Sequence, residues 1–196
     1  MKEFLKRNRK VLLISLTIFI IFAVAGAIYG FISIGDNYGM ISQSIYQMKA
    51  NGTLTLNETV TGLNTFDVFL HNLFADLIVI AGGLLFSVIS VIAVILNAVG
   101  IGAPFGMDFN YFAVTILPHG IIEYAATVIS LACAFNITKI VIAIIRQRSF
   151  RNVLGESDRQ LKDILIMIAV VVVLLAVAAV IEANLVDPIA RMYFGF

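Results

Sequence analysis

Long apolar runs separated by short polar segments dominate this chain. Val11 to Ser33 is almost entirely apolar, a polar stretch follows from Ile34 to Thr65, and Phe66 to Val99 is apolar again. A helix of about 20 apolar residues crosses a hydrocarbon core about 30 Å thick. The first run, and the part of the second run from about Leu73 to Leu96, therefore each predict a transmembrane helix.

Glycine and proline interrupt the pattern after this second run. The stretch from Gly100 to Gly106 contains three glycines and one proline and predicts a helix break, and Asp108 can cap a short helix that continues to Leu117. Residues 100–117 are either a third, interrupted span or a re-entrant segment. Pro118 then opens a further span, and a polar loop separates it from the most continuous apolar run, 163–183.

The distribution of basic residues predicts the topology. Five lysines and arginines precede Val11, five more lie between Arg146 and Lys162, and the loop after the first span has only Lys49. Because cytoplasmic segments are enriched in lysine and arginine, both clusters are expected in the cytoplasm. An even number of crossings must then separate them, so 100–117 must cross; a re-entrant segment would place the second cluster outside. The predicted spans are 11–33, 73–96, 103–117, 119–145 and 163–184, with the N-terminus cytoplasmic and the C-terminus extracytoplasmic.

The start of the chain also resembles a secretory signal, because basic residues precede an apolar run and the small triplet Ala23-Val24-Ala25. The apolar run continues to Ile34, which favours a retained first helix over a cleaved signal. In the loop after it, Asn51 and Asn57 each begin an N-x-[ST] acceptor pattern, in line with an outward-facing loop.

The composition fits a membrane protein and no soluble class. Hydrophobic residues make up 61% and charged residues 13% of the chain, against roughly half and a quarter in soluble domains. The net charge of +1 gives no reason to expect a nucleic-acid partner. The single cysteine, Cys133, lies in an apolar run and is expected to pack as a small hydrophobic side chain. The predicted fold is all-α, an integral membrane helical bundle of five transmembrane helices with the third short or interrupted, in a single domain over residues 1–196.

Ionisable residues at one predicted depth form the candidate site. His119 and Glu123 lie four residues apart and share a helix face, which Thr127 and Ser130 extend. Ionisable residues in a span usually face the bundle interior or a water-filled cavity. In the five-span topology Glu123, Asp76 and Glu182 each lie one to two turns below the outer surface. The candidate binding cluster comprises His119, Glu123, Glu182, Asp76, Asn72, His71 and Asn184.

Three interpretations of this cluster remain open. It can lock the bundle together through hydrogen bonds, or line an outward-facing cavity for a cation, a proton or a small polar solute. A divalent metal would use the same ligands, but they are scattered in the sequence without HExxH spacing, so neither a metal nor a cofactor is expected. No GxSxG or Walker sequence is present, and Ser130 lies nearly three turns from His119. No catalytic residue and no enzymatic activity are therefore expected.

The segment Pro118-His119-Gly120-x-x-Glu123 resembles a signature of the stage II sporulation protein M family. Two further features match: Gly82-Gly83 followed by Leu96 to Gly102 after an asparagine-containing start, and Glu182 shortly before Pro188. The family pattern has Asn-Asn where this chain has His71-Asn72. The resemblance implies a small polytopic membrane protein, whose namesake in sporulating bacteria is a membrane partner in a complex that remodels peptidoglycan.

Two functions follow from the sequence. The first is a non-enzymatic membrane scaffold that recruits protein partners in the bilayer. The alternative is a small channel or transporter for an ion, a proton or a small polar solute, with an outer vestibule built from the candidate cluster. Glycine spacings such as Gly26 to Gly30 and Gly83 to Ser87 serve either internal packing or a homo-oligomer. A dry, fully hydrogen-bonded cluster would favour the scaffold.

Overall fold

The computed structural model describes residues 2–35 and 64–194, and every regular element in these ranges is helical. The loop that contains Asn51 and Asn57, and the C-terminal Phe196, lie outside the described residues. The helices are α1 (Lys2–Gly35), α2 (Thr65–Ala81), α3 (Val88–Met107), α4 (Phe109–Gln147), α5 (Phe150–Glu156) and α6 (Asp158–Phe194). A 3-10 turn, Gly82–Leu85, continues α2, and α4 includes a π-helical stretch, Phe112–Ile116.

Five helices within these ranges are long and apolar enough to cross a membrane. They are Glu3–Ser33, Thr65–Leu85, Val88–Met107, Phe109–Gln147 and Asp158–Ala190. The prediction of an all-α bundle with five spans is thereby confirmed. The boundaries of the second, third and fourth spans differ from those predicted.

The predicted span 73–96 is wrong, because the chain reverses in the middle of it. Phe86 and Ser87 adopt left-handed conformations, with φ of 56° and 59°, and end the first arm of a helical hairpin. The Ser90 hydroxyl donates a 2.6 Å hydrogen bond to the Val79 carbonyl across the turn. Non-glycine residues rarely adopt this conformation, and the turn contains no proline, asparagine or charge, so the apolar pattern conceals it.

The predicted helix break between Gly100 and Gly106 is also wrong, since α3 continues to Met107. A Cβ atom added to Gly102 would lie 1.9 Å from the Ala23 carbonyl oxygen, and one added to Gly106 would lie 1.9 Å from that of Ala27. These glycines therefore let α3 approach the α1 backbone. They are positions of close helix packing and do not break the helix.

Two glycines that the sequence singled out for close packing also contact neighbouring helices of the same chain. A Cβ atom on Gly26 would lie 2.4 Å from the Val99 carbonyl oxygen of α3, and one on Gly83 would lie 2.5 Å from that of Ala134 in α4. Both spacings serve internal packing.

The break between the third and fourth spans lies at Asp108. Its carboxylate accepts a 3.0 Å hydrogen bond from the Tyr111 N–H and caps α4, which confirms the predicted cap. From there α4 runs without interruption to Gln147, so the predicted spans 103–117 and 119–145 are wrong. Pro118 lies within this helix, directly after the π-helical stretch, where its missing N–H and its ring disturb the regular hydrogen bonding.

A polar network ties α1, α4 and α6 together at one end of the bundle. Arg7 donates two hydrogen bonds to Asp163, of 2.9 and 2.7 Å, and Asn8 donates a third of 2.9 Å. Asn136 of α4 donates to Asn8 at 2.8 Å. The two basic clusters of the sequence therefore lie at the same end, called here the basic end, and Asp108 lies at the opposite end.

The buried core extends along the bundle between these ends. One cluster contains Phe19, Val79, Val94, Ala98, Val128 and Leu131, from α1, α2, α3 and α4. Cys133 is fully buried, as predicted, against α6.

Candidate functional site

The site is built on a parallel pair of helices, α2 and α4. Two side-chain pairs join them, Asn72 with Glu123 and Asp76 with Thr127. A third pair joins Ser87, in the turn after α2, to Thr138 of α4, and all three pairs have the same separation of 51 residues. A constant separation means that the two helices run in the same direction in fixed register. The four-residue spacing from Asn72 to Asp76 therefore matches that from Glu123 to Thr127, and places four polar groups on one internal seam.

Glu182 of α6 completes a three-residue group, called here the His-Glu-Glu cluster. One ligand-type atom each from His119, Glu123 and Glu182 lies within 4.8 Å of the other two. The His119 Nε2 and Glu182 Oε2 atoms are 3.9 Å apart, which is too far for a hydrogen bond. On its other side, Glu123 accepts a hydrogen bond from the Asn72 amide.

A cavity of about 450 Å³ adjoins this cluster between α2, α3 and α4. Its polar lining residues are His71, Asn72, Asp76, Asn97, His119, Glu123, Tyr124 and Thr127. Of the His-Glu-Glu cluster, His119 and Glu123 line it. The cluster therefore stands at the wall of a cavity between the helices whose otherwise apolar lining carries these polar side chains.

Polar atoms beside this cavity lack partners within the described ranges. Asp76 is 3% exposed, and its Oδ1 accepts a 3.1 Å hydrogen bond from Thr127, while its Oδ2 has no hydrogen bond. The Ser130 hydroxyl lies beside the same carboxyl group, without a hydrogen bond of normal geometry among the described residues. His119 Nδ1 is buried without a partner. Buried polar atoms normally have a hydrogen-bond partner, so a bound water, solute or ion would satisfy these atoms.

The helix segments around the cluster contain no lysine or arginine. No lysine or arginine occurs between Lys49 and Lys139, so α2, α3 and the part of α4 that lines the cavity carry none. On α6 none occurs between Lys162 and Arg191. At the basic end, in contrast, Asp163 is paired with Arg7.

The structure brings together five of the seven candidate residues: Asn72, Asp76, His119, Glu123 and Glu182. His71 lines the cavity from an exposed position. Asn184 lies outside the cluster, because it is exposed and donates hydrogen bonds to the Val180 carbonyl and to Thr65. The metal-type ligands are scattered in the sequence, yet the packing of α6 on α4 places three of them together.

The corrected spans change the position of the site along its helices and its membership. Glu123 is the fifteenth residue of α4, about 21 Å along the helix from Phe109. Asp76 lies about 16 Å from the start of α2, so both residues lie further along their helices than the predicted one to two turns. Sequence reasoning missed Asn97, which it placed at the end of a span. The hairpin puts Asn97 in the middle of α3, on the cavity.

The chain belongs to the stage II sporulation protein M family, which matches residues 15–186. This confirms the resemblance drawn from the Pro-His-Gly-x-x-Glu segment, and the match covers every residue of the cavity. No curated protein and no solved structure matches the chain. Together with the five apolar helices, family membership makes this an integral, multi-pass membrane protein.

Proposed function

We propose that this protein is a small channel or transporter that binds a cation or a proton at its intramembrane cavity. The observation that carries the proposal is the charge balance of that cavity. Three carboxyl groups, of Asp76, Glu123 and Glu182, lie in or beside it, and the helix segments around them contain no lysine or arginine.

Uncompensated carboxylates are costly at this depth. A single charged side chain near the bilayer centre costs at least a few kcal/mol, and repulsion between like charges strengthens at low dielectric. His119 can supply at most one positive charge against three carboxylates. The remaining charge is neutralised by protons or by a bound cation, which makes the site one that takes up and releases positive charge.

A purely structural role fits the basic end better than it fits the cavity. There, Asp163 receives three hydrogen bonds, two of them from Arg7. Among the described residues, Asp76 Oδ2 and His119 Nδ1 have no hydrogen-bond partner, and the cavity beside them has room for water. A dry, fully bonded cluster was the feature expected of a scaffold, and this arrangement favours solute binding instead.

The basic end faces the cytoplasm in this proposal. Both basic clusters lie there, and cytoplasmic segments are enriched in lysine and arginine. The N-terminus is then cytoplasmic, and Asp108 and the C-terminus of α6 face the opposite side.

A non-enzymatic scaffold that recruits protein partners in the membrane is the second candidate. Membership of the stage II sporulation protein M family favours it, because the resemblance implies a partner in a membrane complex. A scaffold predicts no ion flux through the isolated protein, so the same measurement separates the two functions.

Flux through reconstituted liposomes tests the proposal. Purified protein is reconstituted with ion-sensitive and pH-sensitive dyes inside, and a gradient of protons, monovalent or divalent cations is imposed. We expect flux above that of protein-free liposomes, abolished by Glu123→Gln. Glu156→Gln, the same change at an exposed position of α5, is the control and should retain it. Flux no higher than in protein-free liposomes, for every cation tested, would overturn the transport function and favour the scaffold.

A further inference from the structure

We infer that the His-Glu-Glu cluster is a binding site for a divalent first-row transition metal such as Zn²⁺ or Mn²⁺. The inference rests on the proposed function and names the class of cation that the cavity takes. Its ligands would be one nitrogen from His119 and one oxygen each from Glu123 and Glu182.

The spacing of the three side chains fits one small ion. Zinc binds histidine nitrogen at about 2.0–2.1 Å and carboxylate oxygen at about 2.0–2.2 Å, so two ligand atoms on one ion lie at most about 4.3 Å apart. The 3.9 Å gap between His119 Nε2 and Glu182 Oε2 already fits. All three ligand atoms lie within 4.8 Å of one another, so they would need to move by only some tenths of an ångström to bind one ion.

The donor types select among cations. Magnesium prefers six oxygen ligands and keeps several waters, and calcium takes six to eight oxygens. An imidazole nitrogen suits zinc, iron and other first-row metals, and carboxylates also suit manganese. One histidine with two glutamates therefore favours a transition metal over an alkali or alkaline-earth ion. Two carboxylates also neutralise both charges of a divalent cation.

The surroundings of the cluster resemble a metal site with an open position. Asn72 holds Glu123 through a hydrogen bond, as outer-shell partners orient metal-binding carboxylates. Three protein ligands leave a coordination position for water or exchange, and the cavity adjoins it. Asp76, buried in the same cavity with one unpaired oxygen, is an independent acceptor for metal-bound water or for an ion in transit.

Metal titration of the purified protein tests the inference. Tag-free protein in detergent is stripped with a chelator and titrated with Zn²⁺, Mn²⁺ and Co²⁺ by calorimetry, with the visible absorption of bound Co²⁺ as a second readout. We expect one ion per chain. Glu182→Gln and His119→Gln should each weaken binding by more than about tenfold, the lower end of losses typical even for outer-shell partners. Glu156→Gln, the same change at an exposed glutamate of α5 outside the cavity, is the matched control and should bind normally.

A second measurement uses the unaltered protein, so its result does not depend on whether the variants fold. Zn²⁺ should raise the thermal unfolding temperature of the unaltered protein, because a ligand that binds only the folded state stabilises it, whereas Mg²⁺ at the same concentration should not.

The outcomes of these experiments are distinguishable. The metal site would be overturned if no saturable divalent binding were found, or if the two cluster variants bound the metal as tightly as the control variant. Proton or monovalent flux that depends on Glu123 would then still support transport. Metal binding without flux would uphold the site and reject the transport function.

Discussion

The Asn72 amide of α2 donates a hydrogen bond to the Glu123 carboxylate of α4, 51 residues away in the sequence. The bond joins two helices that run parallel, and both of its side chains line the cavity beside the His-Glu-Glu cluster. It therefore restrains the carboxylate that Glu123 contributes to the cluster.

Removal of this amide should destabilise the protein. Asn72→Ala leaves a part-buried carboxylate without its donor, and the loss of one partner of a buried hydrogen bond costs about 1–3 kcal/mol. Chemical unfolding in detergent measures the change. Asn184→Ala alters an exposed amide outside the cluster and should change stability by less than about 0.5 kcal/mol. Equal effects of the two substitutions would show that Asn72 has no special role.

Close packing of α1 on α3 gives a second prediction. Gly102→Ala places a Cβ atom 1.9 Å from the Ala23 carbonyl oxygen, so the helices must separate, at a cost of roughly 1–3 kcal/mol for overpacking. Gly100→Ala, on the same helix, meets nothing within 4 Å and should be neutral or slightly stabilising. The unfolding temperatures of the two variants compare these sites, and a Gly102→Ala protein as stable as Gly100→Ala would contradict the packing.

The number of spans could be predicted from the sequence because two constraints act on it together. Apolar length identifies membrane helices, and the basic residues around Arg7 and Arg146 require an even number of crossings between them. That requirement holds in the structure, although the additional crossing comes from the reversal at Phe86 and Ser87. The turn itself could not be predicted, because the exposed residues on either side of it are apolar and no basic residue lies near it.

The candidate site could be predicted in part for a similar reason. Polar residues in apolar helices stand out, so Asp76, His119, Glu123 and Glu182 were identified from the sequence alone. The proximity of Glu182 to His119 depends on how α6 packs against α4, and the spacing of residues within one helix does not predict that packing. Asn97 was missed because its position in the bundle depends on the hairpin.

Cysteine labelling distinguishes the observed hairpin from the predicted spans. In a Cys133→Ala background, a membrane-impermeant maleimide added outside cells should label Asn110→Cys, since Asn110 lies in the first turn of α4 beside Asp108. The predicted span 103–117 would bury this position in the bilayer. Asn152→Cys, at the basic end, should react only after the membrane is opened. Strong external labelling at Asn152 would reverse the proposed orientation.

The two ends of α6 should respond in opposite ways to the same carboxyl-to-amide change. Asp163→Asn removes the charged acceptor of two Arg7 hydrogen bonds, and hydrogen bonds to charged groups contribute about 1.5–3 kcal/mol, so the unfolding temperature should fall. Glu182→Gln removes a carboxylate that no lysine or arginine pairs with among the described residues and whose nearest basic group, His119 Nε2, is 3.9 Å away, so in metal-free buffer stability should stay constant or rise. Functional sites commonly retain such destabilising groups. A Glu182→Gln protein destabilised as much as Asp163→Asn would mean that Glu182 holds the bundle together rather than binding an ion.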